Sequence, residues 1–161
     1  MNTLFSHVCV VTMDDRMSVW TDAFVGVTDG KISYLSKHAP EEKPKQIIDG
    51  TGMVLMPGLI NCHTHLPMQL LRGYADDLKL QEWLNDYIFP REDRLDGRCV
   101  RAATTLAVAE CLKFGVTSVS DMYYFCDDIC DVIAKSGMKA NISRGTSMFL
   151  GDDFDFEKFP A

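Results

Sequence analysis

The sequence lacks the features that mark several common classes of protein. The chain has 161 residues and no run of about 18 consecutive apolar residues, so no membrane-spanning helix is expected. Basic residues are the minority, 16 Lys and Arg against 23 Asp and Glu, and they are scattered, which argues against nucleic-acid binding. Residues 1–11 have no basic segment before their apolar run, so no secretory signal peptide is expected.

Two common catalytic signatures and a disulfide framework are also missing. There is no glycine-rich phosphate loop and no Gly-x-Ser-x-Gly segment. The six cysteines lie mostly in apolar runs at spacings that fit no disulfide framework, so we expect reduced thiols in a cytoplasmic protein. Cys126 and Cys130 lie four residues apart with no third ligand nearby in the sequence, which does not favour a metal site there.

Residues 1–56 predict a small antiparallel β unit. Segments rich in β-branched and aromatic residues alternate with turn signals, and Asp29-Gly30 is typical of a tight hairpin. The predicted strands cover residues 8–12, 20–28, 31–36, 46–49 and 53–56.

After Pro57-Gly58, strands and helices alternate along the chain. The apolar run 59–62 suits a buried strand, and it ends in His63-Thr64-His65. Apolar residues at helical spacing then cover 80–88, and Pro90 lies just beyond the expected end of that helix.

The rest of the chain up to residue 144 continues this alternation, which predicts the start of a parallel α/β array. The predicted boundaries are a helix capped by Asp96 and ended by Gly115, a strand 116–120 ending at Asp121, a helix capped by Asp127 and ended by Gly137, and a strand 138–143 ending at Arg144.

The two histidines of the triplet are candidate metal ligands. Side chains at positions i and i+2 of a strand point to one face, so His63 and His65 could bind one ion together, although a structural role is equally open. A catalytic zinc ion usually takes three protein ligands, and the other histidines, His7 and His38, are not well placed. Asp121 could approach the same face or hold a backbone turn, and the structural role is slightly favoured.

Three further residues could belong to a functional site or have a purely structural or surface role. Glu92 lies in the charged segment 90–95, which composition alone assigns to a solvated cluster. Arg144 could meet a substrate carboxylate or pair with a neighbouring loop. Trp83 could form a pocket wall or belong to a helix core.

Several segments, in this order, resemble the amidohydrolase superfamily, and within it most closely the 5-methylthioadenosine/S-adenosylhomocysteine deaminases. The resemblance covers roughly residues 1–148. Chlorohydrolases and guanine deaminases share much of the first segment. The segments are Pro57-Gly58-Leu59-Ile60-Asn61-Cys62-His63-Thr64-His65-Leu66-Pro67-Met68, residues 70–78, Glu82-Trp83-Leu84, Pro90-Arg91-Glu92, Asp121-Met122-Tyr123 and Ser143-Arg144-Gly145.

The resemblance implies an α/β protein in two parts. Residues 1–56 would be the N-terminal part of a composite β-sandwich, and residues 57–161 the first strands and helices of a metal-dependent (β/α)₈ barrel. Such a barrel typically needs about 250 residues, so the barrel is expected to be truncated here. Three parallel strands alone would leave an open apolar edge and an unfilled barrel interior, so we expect the isolated chain to aggregate, to swap segments between copies or to be partly molten.

The resemblance also implies a metal-dependent hydrolytic deaminase that converts S-adenosylhomocysteine or 5-methylthioadenosine to the inosyl product and ammonia. His63 and His65 match the first two ligands of one divalent ion, zinc by ligand type, with iron or manganese as alternatives. Glu92 matches the glutamate that holds the nucleoside sugar, Arg144 matches an arginine of the substrate site, and Trp83 would be a pocket wall.

The catalytic acid/base residue and further metal ligands of the family have no counterpart in the chain and are expected beyond Ala161. The chain would then be an N-terminal fragment that is inactive alone. Its expected partner is a small nucleoside, with no nucleic acid and no membrane, and the full-length protein could be a homo-oligomer. The alternatives are another amidohydrolase, of the chlorohydrolase, guanine deaminase or cytosine deaminase type, or a non-catalytic remnant of the fold.

Overall fold

The computed structural model of this chain describes residues 1–145. Two compact units divide at the Pro57–Gly58 peptide, and each has its own apolar core. Among the described residues, no helix combines the length and the apolar character needed to cross a membrane.

The N-terminal unit is a five-stranded sheet. Its strands are β1 (Thr3–Val11), β2 (Val19–Thr28), β3 (Lys31–Ser36), β4 (Gln46–Asp49) and β5 (Val54–Leu55). The order is β3-β2-β1-β4, and β5 also pairs with β1. Alternate residues of the two central strands form the core: Val8, Val10, Ala23 and Val25.

Strand direction in this sheet corrects one prediction. The β1–β2 and β2–β3 pairs are antiparallel as expected, and both residues of the Asp29-Gly30 turn have positive φ, 49° and 73°. This is the conformation that a two-residue hairpin turn needs. The expectation of a wholly antiparallel unit is wrong, because β4 and β5 pair parallel to β1. Residues 37–45 carry the chain across the sheet, and a crossover of this kind lets the next strand run parallel.

The second unit is built on a three-stranded parallel sheet in the order β6-β7-β8, which confirms the predicted parallel array. The strands are β6 (Leu59–Thr64), β7 (Val116–Tyr123) and β8 (Lys139–Arg144). A 3₁₀ helix (Leu66–Leu71) follows β6, and the longer helices are α3 (Gly97–Lys113) and α4 (Cys126–Ser136).

The helix predicted over residues 80–88 does not end before Pro90. It begins as α1 (Leu80–Glu82), continues as a π-helical segment (Trp83–Ile88) and ends as α2 (Phe89–Glu92). In an ordinary α-helix the ring of Pro90 would crowd the carbonyl four residues earlier. The π segment widens the helix here, with Phe89 N–H donating to the Leu84 carbonyl, so the helix accommodates the proline.

Of the four predictions for helix ends, three are confirmed and one is wrong. Asp96 caps α3 by accepting a hydrogen bond from Cys99 N–H at 2.7 Å, and Gly115 and Gly137 follow their helices with φ of 80° and 76°. Asp127 is not a cap, because α4 begins at Cys126 after Phe125, which has a left-handed φ of 57°.

Two strand predictions also need correction. β7 runs to Tyr123 rather than ending at Asp121, because it stays paired with β8 up to the Tyr123–Arg144 pair. β6 was expected to be buried, yet five of its six residues are exposed. Within the described residues it pairs with β7 along one edge only, and none of its residues belongs to the core of this unit.

Candidate functional site

A cavity of about 550 Å³ opens where the three parallel strands end. It is lined by residues at or just after the carboxyl ends of β6, β7 and β8 and by residues of the segment from Trp83 to Glu92. Active sites on parallel α/β sheets lie at this end of the strands. The lining residues are His65, Met68, Trp83, Leu84, Ile88, Phe89, Glu92, Met122, Tyr123, Tyr124, Arg144 and Gly145.

The histidine pair lies at the end of β6, and His65 lines this cavity. The Nε2 atoms of His63 and His65 are 3.3 Å apart, and their rings are nearly perpendicular. Two imidazole nitrogens that bind one zinc ion at about 2.0–2.1 Å with tetrahedral angles are about 3.3–3.4 Å apart. The two side chains therefore have the spacing of two ligands on one ion.

The tautomer of His65 follows from its second ring nitrogen. Nδ1 lies 2.7 Å from the backbone carbonyl oxygen of Met122. A carbonyl oxygen can only accept, so Nδ1 carries the proton and Nε2 of the neutral ring keeps its lone pair. Second-sphere carbonyls orient metal-binding histidines in this way.

Asp121 holds the chain on both sides of His65. Its Oδ1 accepts hydrogen bonds from the Thr64 hydroxyl and from Leu66 N–H, each at 2.7 Å. The residue is only 2% exposed, and burial raises the pKa of its carboxyl against the lowering effect of these two hydrogen bonds. Of the two roles left open for Asp121, the structure supports the structural one.

A complete metal site is not formed by the described part of the chain. Among residues 1–145, no group of three or more His, Cys, Asp or Glu side chains lies close enough to hold an ion. The sulfurs of Cys126 and Cys130 are 4.0 Å apart on α4, and burial raises the pKa of the Cys126 thiol.

Glu92 lies in the cavity rather than in a solvated cluster, so the prediction from composition alone is wrong. The Tyr123 hydroxyl donates to Glu92 Oε1 at 2.5 Å. Tyr123 is only 5% exposed, and this burial, followed by the hydrogen bond to Glu92, raises the pKa of the phenol far above its ordinary value. Tyr123 therefore stays protonated and fixes one carboxylate oxygen of Glu92.

Arg144 and Trp83 complete the set of predicted residues. Arg144 lines the cavity, and its guanidinium donates to Asp127 Oδ1 at 3.1 Å. The partner lies in the first turn of α4 rather than in a loop, and both side chains are exposed, so the pair adds little stability. Trp83 is half-buried and also lines the cavity. Four of the five predicted site residues thus line one cavity, and His63 lies beside His65.

Sequence reasoning missed two supporting groups. Tyr123 lies two residues after Asp121 on the buried face of β7, so strand alternation would have identified it if the strand had been extended beyond residue 120. The Met122 contribution is a backbone carbonyl, and no side-chain pattern indicates it.

Comparison with known proteins identifies the family. The model of the amidohydrolase family matches residues 54–142, which is more than half of the chain. The chain belongs to the amidohydrolase family. The matched residues include β6, β7, His63 near the end of β6 and His65 directly after it.

Two curated relatives are similar over most of the chain. It is 40% identical over 147 residues to a 5-methylthioadenosine/S-adenosylhomocysteine deaminase of Pelotomaculum thermopropionicum, which covers 89% of this chain and 34% of the relative. It is 39% identical over 142 residues to a 5′-deoxyadenosine deaminase of Methanosarcina acetivorans, covering 88% and 33%. The chain thus spans about a third of the length of these two relatives.

A solved structure supports the fold. An adenosine deaminase from Xanthomonas campestris with bound zinc superposes with a TM-score of 0.79 at 36% identity, over 86% of this chain and 33% of that protein. The mixed α/β fold of the described residues is therefore that of the amidohydrolases. The composite sandwich over residues 1–56 and the truncated barrel over 57–161 stay predictions.

Proposed function

We propose that this amidohydrolase chain provides the first metal ligands and part of the substrate pocket of a hydrolytic deaminase that acts on adenine nucleosides. The observation that carries the proposal is the 3.3 Å separation of two histidine Nε2 atoms beside a cavity that also contains Glu92. The curated relatives named as adenine-nucleoside deaminases support the substrate class.

His63 and His65 would hold one divalent ion. Imidazole ligands suit zinc, and iron or manganese are alternatives. The ion, when bound, supplies Lewis acidity for hydrolysis at neutral pH. The spacing of the two Nε2 atoms and the fixed lone pair of His65 fit such an ion. They make up two of the three protein ligands that a catalytic zinc ion usually takes.

Glu92 would bind the sugar of the nucleoside. Tyr123 occupies one of its oxygens, so the carboxylate is held in place while its remaining lone pairs can accept hydrogen bonds from ribose hydroxyls. The carboxylate of Glu92 favours neutral nucleosides, because a carboxylate beside the sugar repels the phosphate of a nucleotide.

The remaining walls suit the uncharged parts of the substrate. Trp83, Leu84, Ile88 and Phe89 give the cavity a long apolar side. An adenine ring or an apolar 5′ substituent can be buried there. We propose 5′-deoxyadenosine, 5-methylthioadenosine and S-adenosylhomocysteine as substrates, with Arg144 next to the polar end of the bound molecule.

The reaction would replace the amino group of adenine by oxygen from water, giving the inosyl product and ammonia. The proposal assigns no acid/base residue for this step to the described residues. Since two histidines do not complete the site, we expect the 161-residue chain alone to release no ammonia.

The proposal is tested by exchanging the matching third of the Pelotomaculum deaminase for this chain. The hybrid, loaded with zinc, is assayed for ammonia release from the three adenine nucleosides and from guanine, and for chloride release from a chlorotriazine. We expect turnover of the adenine nucleosides, a loss of more than about 100-fold for His65→Ala, and no change for His38→Ala as the matched control.

Other outcomes identify the alternatives. Turnover of guanine or the chlorotriazine alone would assign the chain to another branch of the family. A folded, zinc-containing hybrid that acts on none of the substrates would support a non-catalytic remnant and contradict the proposal.

A further inference from the structure

We propose that Asp121 is a positioning residue for His65: by fixing the chain on both sides of that residue, it holds the imidazole in the orientation that directs Nε2 toward His63. The link to metal binding rests on the proposed function. The positioning itself concerns the metal-free chain and is tested separately.

A single atom provides both anchors. Oδ1 of Asp121 accepts the Thr64 hydroxyl and the Leu66 N–H at 2.7 Å each. His65 is the residue between these two groups, and it is also where β6 gives way to the 3₁₀ helix. At such a junction the backbone has no regular pattern of its own to fix it, so the two anchors determine where the Cα–Cβ bond of His65 points.

The next residue of β7 fixes the ring. The Met122 carbonyl accepts from His65 Nδ1 at 2.7 Å, so consecutive residues of one strand hold the backbone and the imidazole of the same histidine. β7 is a rigid support for this purpose, because it is hydrogen-bonded to β6 on one side and to β8 on the other.

A buried aspartate at position 121 lowers the folding stability, and a purely structural hydrogen bond does not require a carboxylate there. Its side chain is buried, and Oδ2 has no hydrogen-bond partner among the described residues. An unsatisfied buried carboxylate oxygen lowers stability. A role in placing His65 explains why a carboxylate occupies this position.

The tautomers of the four histidines test the proposal directly. Long-range ¹H–¹⁵N NMR of the metal-free 161-residue chain at about pH 8, where imidazole is neutral, distinguishes Nδ1–H from Nε2–H. We expect His65 to be the Nδ1–H tautomer in the wild type. Asp121→Ala should convert most of it to Nε2–H, whereas Asp121→Asn should preserve Nδ1–H because the amide oxygen can accept the same two hydrogen bonds.

Asp14→Ala is the matched control. Asp14 also holds a turn through its side chain, by accepting from Arg16 N–H and Ser18 N–H, and it belongs to the other unit. We expect this variant to leave the His65 tautomer unchanged.

Zinc titration of the hybrid described under the proposed function, carrying the same substitutions, gives the second readout, because the described part of this chain supplies only two of the three ligands that a catalytic zinc ion usually takes. We expect Asp121→Ala to weaken zinc binding about 10- to 100-fold and Asp121→Asn to stay close to the wild type. If Asp121→Ala does not fold, the nearly isosteric Thr64→Val removes one anchor only, and a smaller change in the same direction is expected in both readouts.

A folded Asp121→Ala or Thr64→Val protein with an unchanged tautomer and unchanged zinc affinity would overturn the proposal. If the hybrid with the wild-type sequence binds no zinc while the tautomer in the 161-residue chain still depends on Asp121, the positioning role stands and the proposed metal function fails. The two failures are therefore distinguishable.

Discussion

β6 and β7 are neighbouring strands with opposite characters. β6 ends at the histidine triplet, and most of its residues are exposed. β7 contains none of the predicted ligands, yet alternate residues of it are buried. The carboxyl end of β7 holds the candidate site together: Asp121 and Met122 fix His65, and Tyr123 fixes Glu92.

The difference teaches that a candidate ligand and the groups that set its orientation come from different strands: His65 follows β6, and Asp121 and Met122 belong to β7. β7 is the central strand of its sheet, so it is fixed by hydrogen bonds on both edges and by helix packing. A rigid central strand can position side chains on a less buried neighbour.

The largest expected effect is the loss of stability when a buried isoleucine packed near β7 is truncated, compared with the truncation of an exposed isoleucine of β6. Ile129 of α4 is fully buried in the core that includes β7 residue Val119, whereas Ile60 of β6 is 68% exposed. We expect Ile129→Ala to lower the free energy of unfolding by about 2–5 kcal/mol and Ile60→Ala by less than about 0.5 kcal/mol. Urea unfolding measures both, and equal losses would contradict the contrast.

The second effect concerns the Tyr123 hydrogen bond. Tyr123→Phe removes the donor to Glu92, and a bond from a buried group to a carboxylate contributes about 1–3 kcal/mol. Tyr34→Phe is the matched control, because its hydroxyl donates to the His38 carbonyl at an exposed position. The control should cost less than about 1 kcal/mol. A smaller loss for Tyr123→Phe than for the control would argue against the pairing.

The pH dependence of the same variant gives a third test. The folded-state pKa of Tyr123 is raised above its ordinary value of 10.0 by burial, so the unfolded chain ionises first. The stability that Tyr123 adds is fully present below about pH 9 and decreases as pH rises above about 10. We expect the stability difference between the wild type and Tyr123→Phe to shrink over that range. A constant difference up to pH 11 would contradict the raised pKa.

The smallest expected effect compares two aspartates near helix starts. Asp96 caps α3 through Cys99 N–H, whereas Asp127 lies in the first turn of α4 and makes an exposed pair with Arg144. Asp96→Ala should cost about 1 kcal/mol, and Asp127→Ala less than about 0.5 kcal/mol. Thermal unfolding measures the loss of stability in both variants. A larger loss for Asp127→Ala than for Asp96→Ala would mean that Asp127 caps α4 after all.

Local rules allowed the sequence to predict several parts of the fold. The alternation of strands and helices, the Asp96 cap and the glycines after α3 and α4 depend on a few adjacent residues. The histidine pair was found for the same reason, because i and i+2 on a strand share a face.

The parts that sequence reasoning missed depend on residues far apart in the chain. The parallel pairing of β4 with β1, the exposure of β6 and the length of β7 are decided by which strands pair. The support of His65 was invisible for a related reason, since it comes from one side chain and one backbone carbonyl of another strand. The family resemblance predicted that Glu92 lines the substrate pocket, and Glu92 does line the cavity. Composition alone predicted a solvated charge cluster.

The most direct measurement is the zinc affinity of the hybrid in which this chain replaces the matching third of the Pelotomaculum deaminase, determined by calorimetry for the wild-type sequence, His63→Ala, His65→Ala and the control His38→Ala. If His63 and His65 share one ion, the wild type and the control bind one zinc ion per chain with equal affinity, and each of the other two variants loses at least about tenfold. Zinc binding that is unchanged by the loss of either histidine would contradict the shared site.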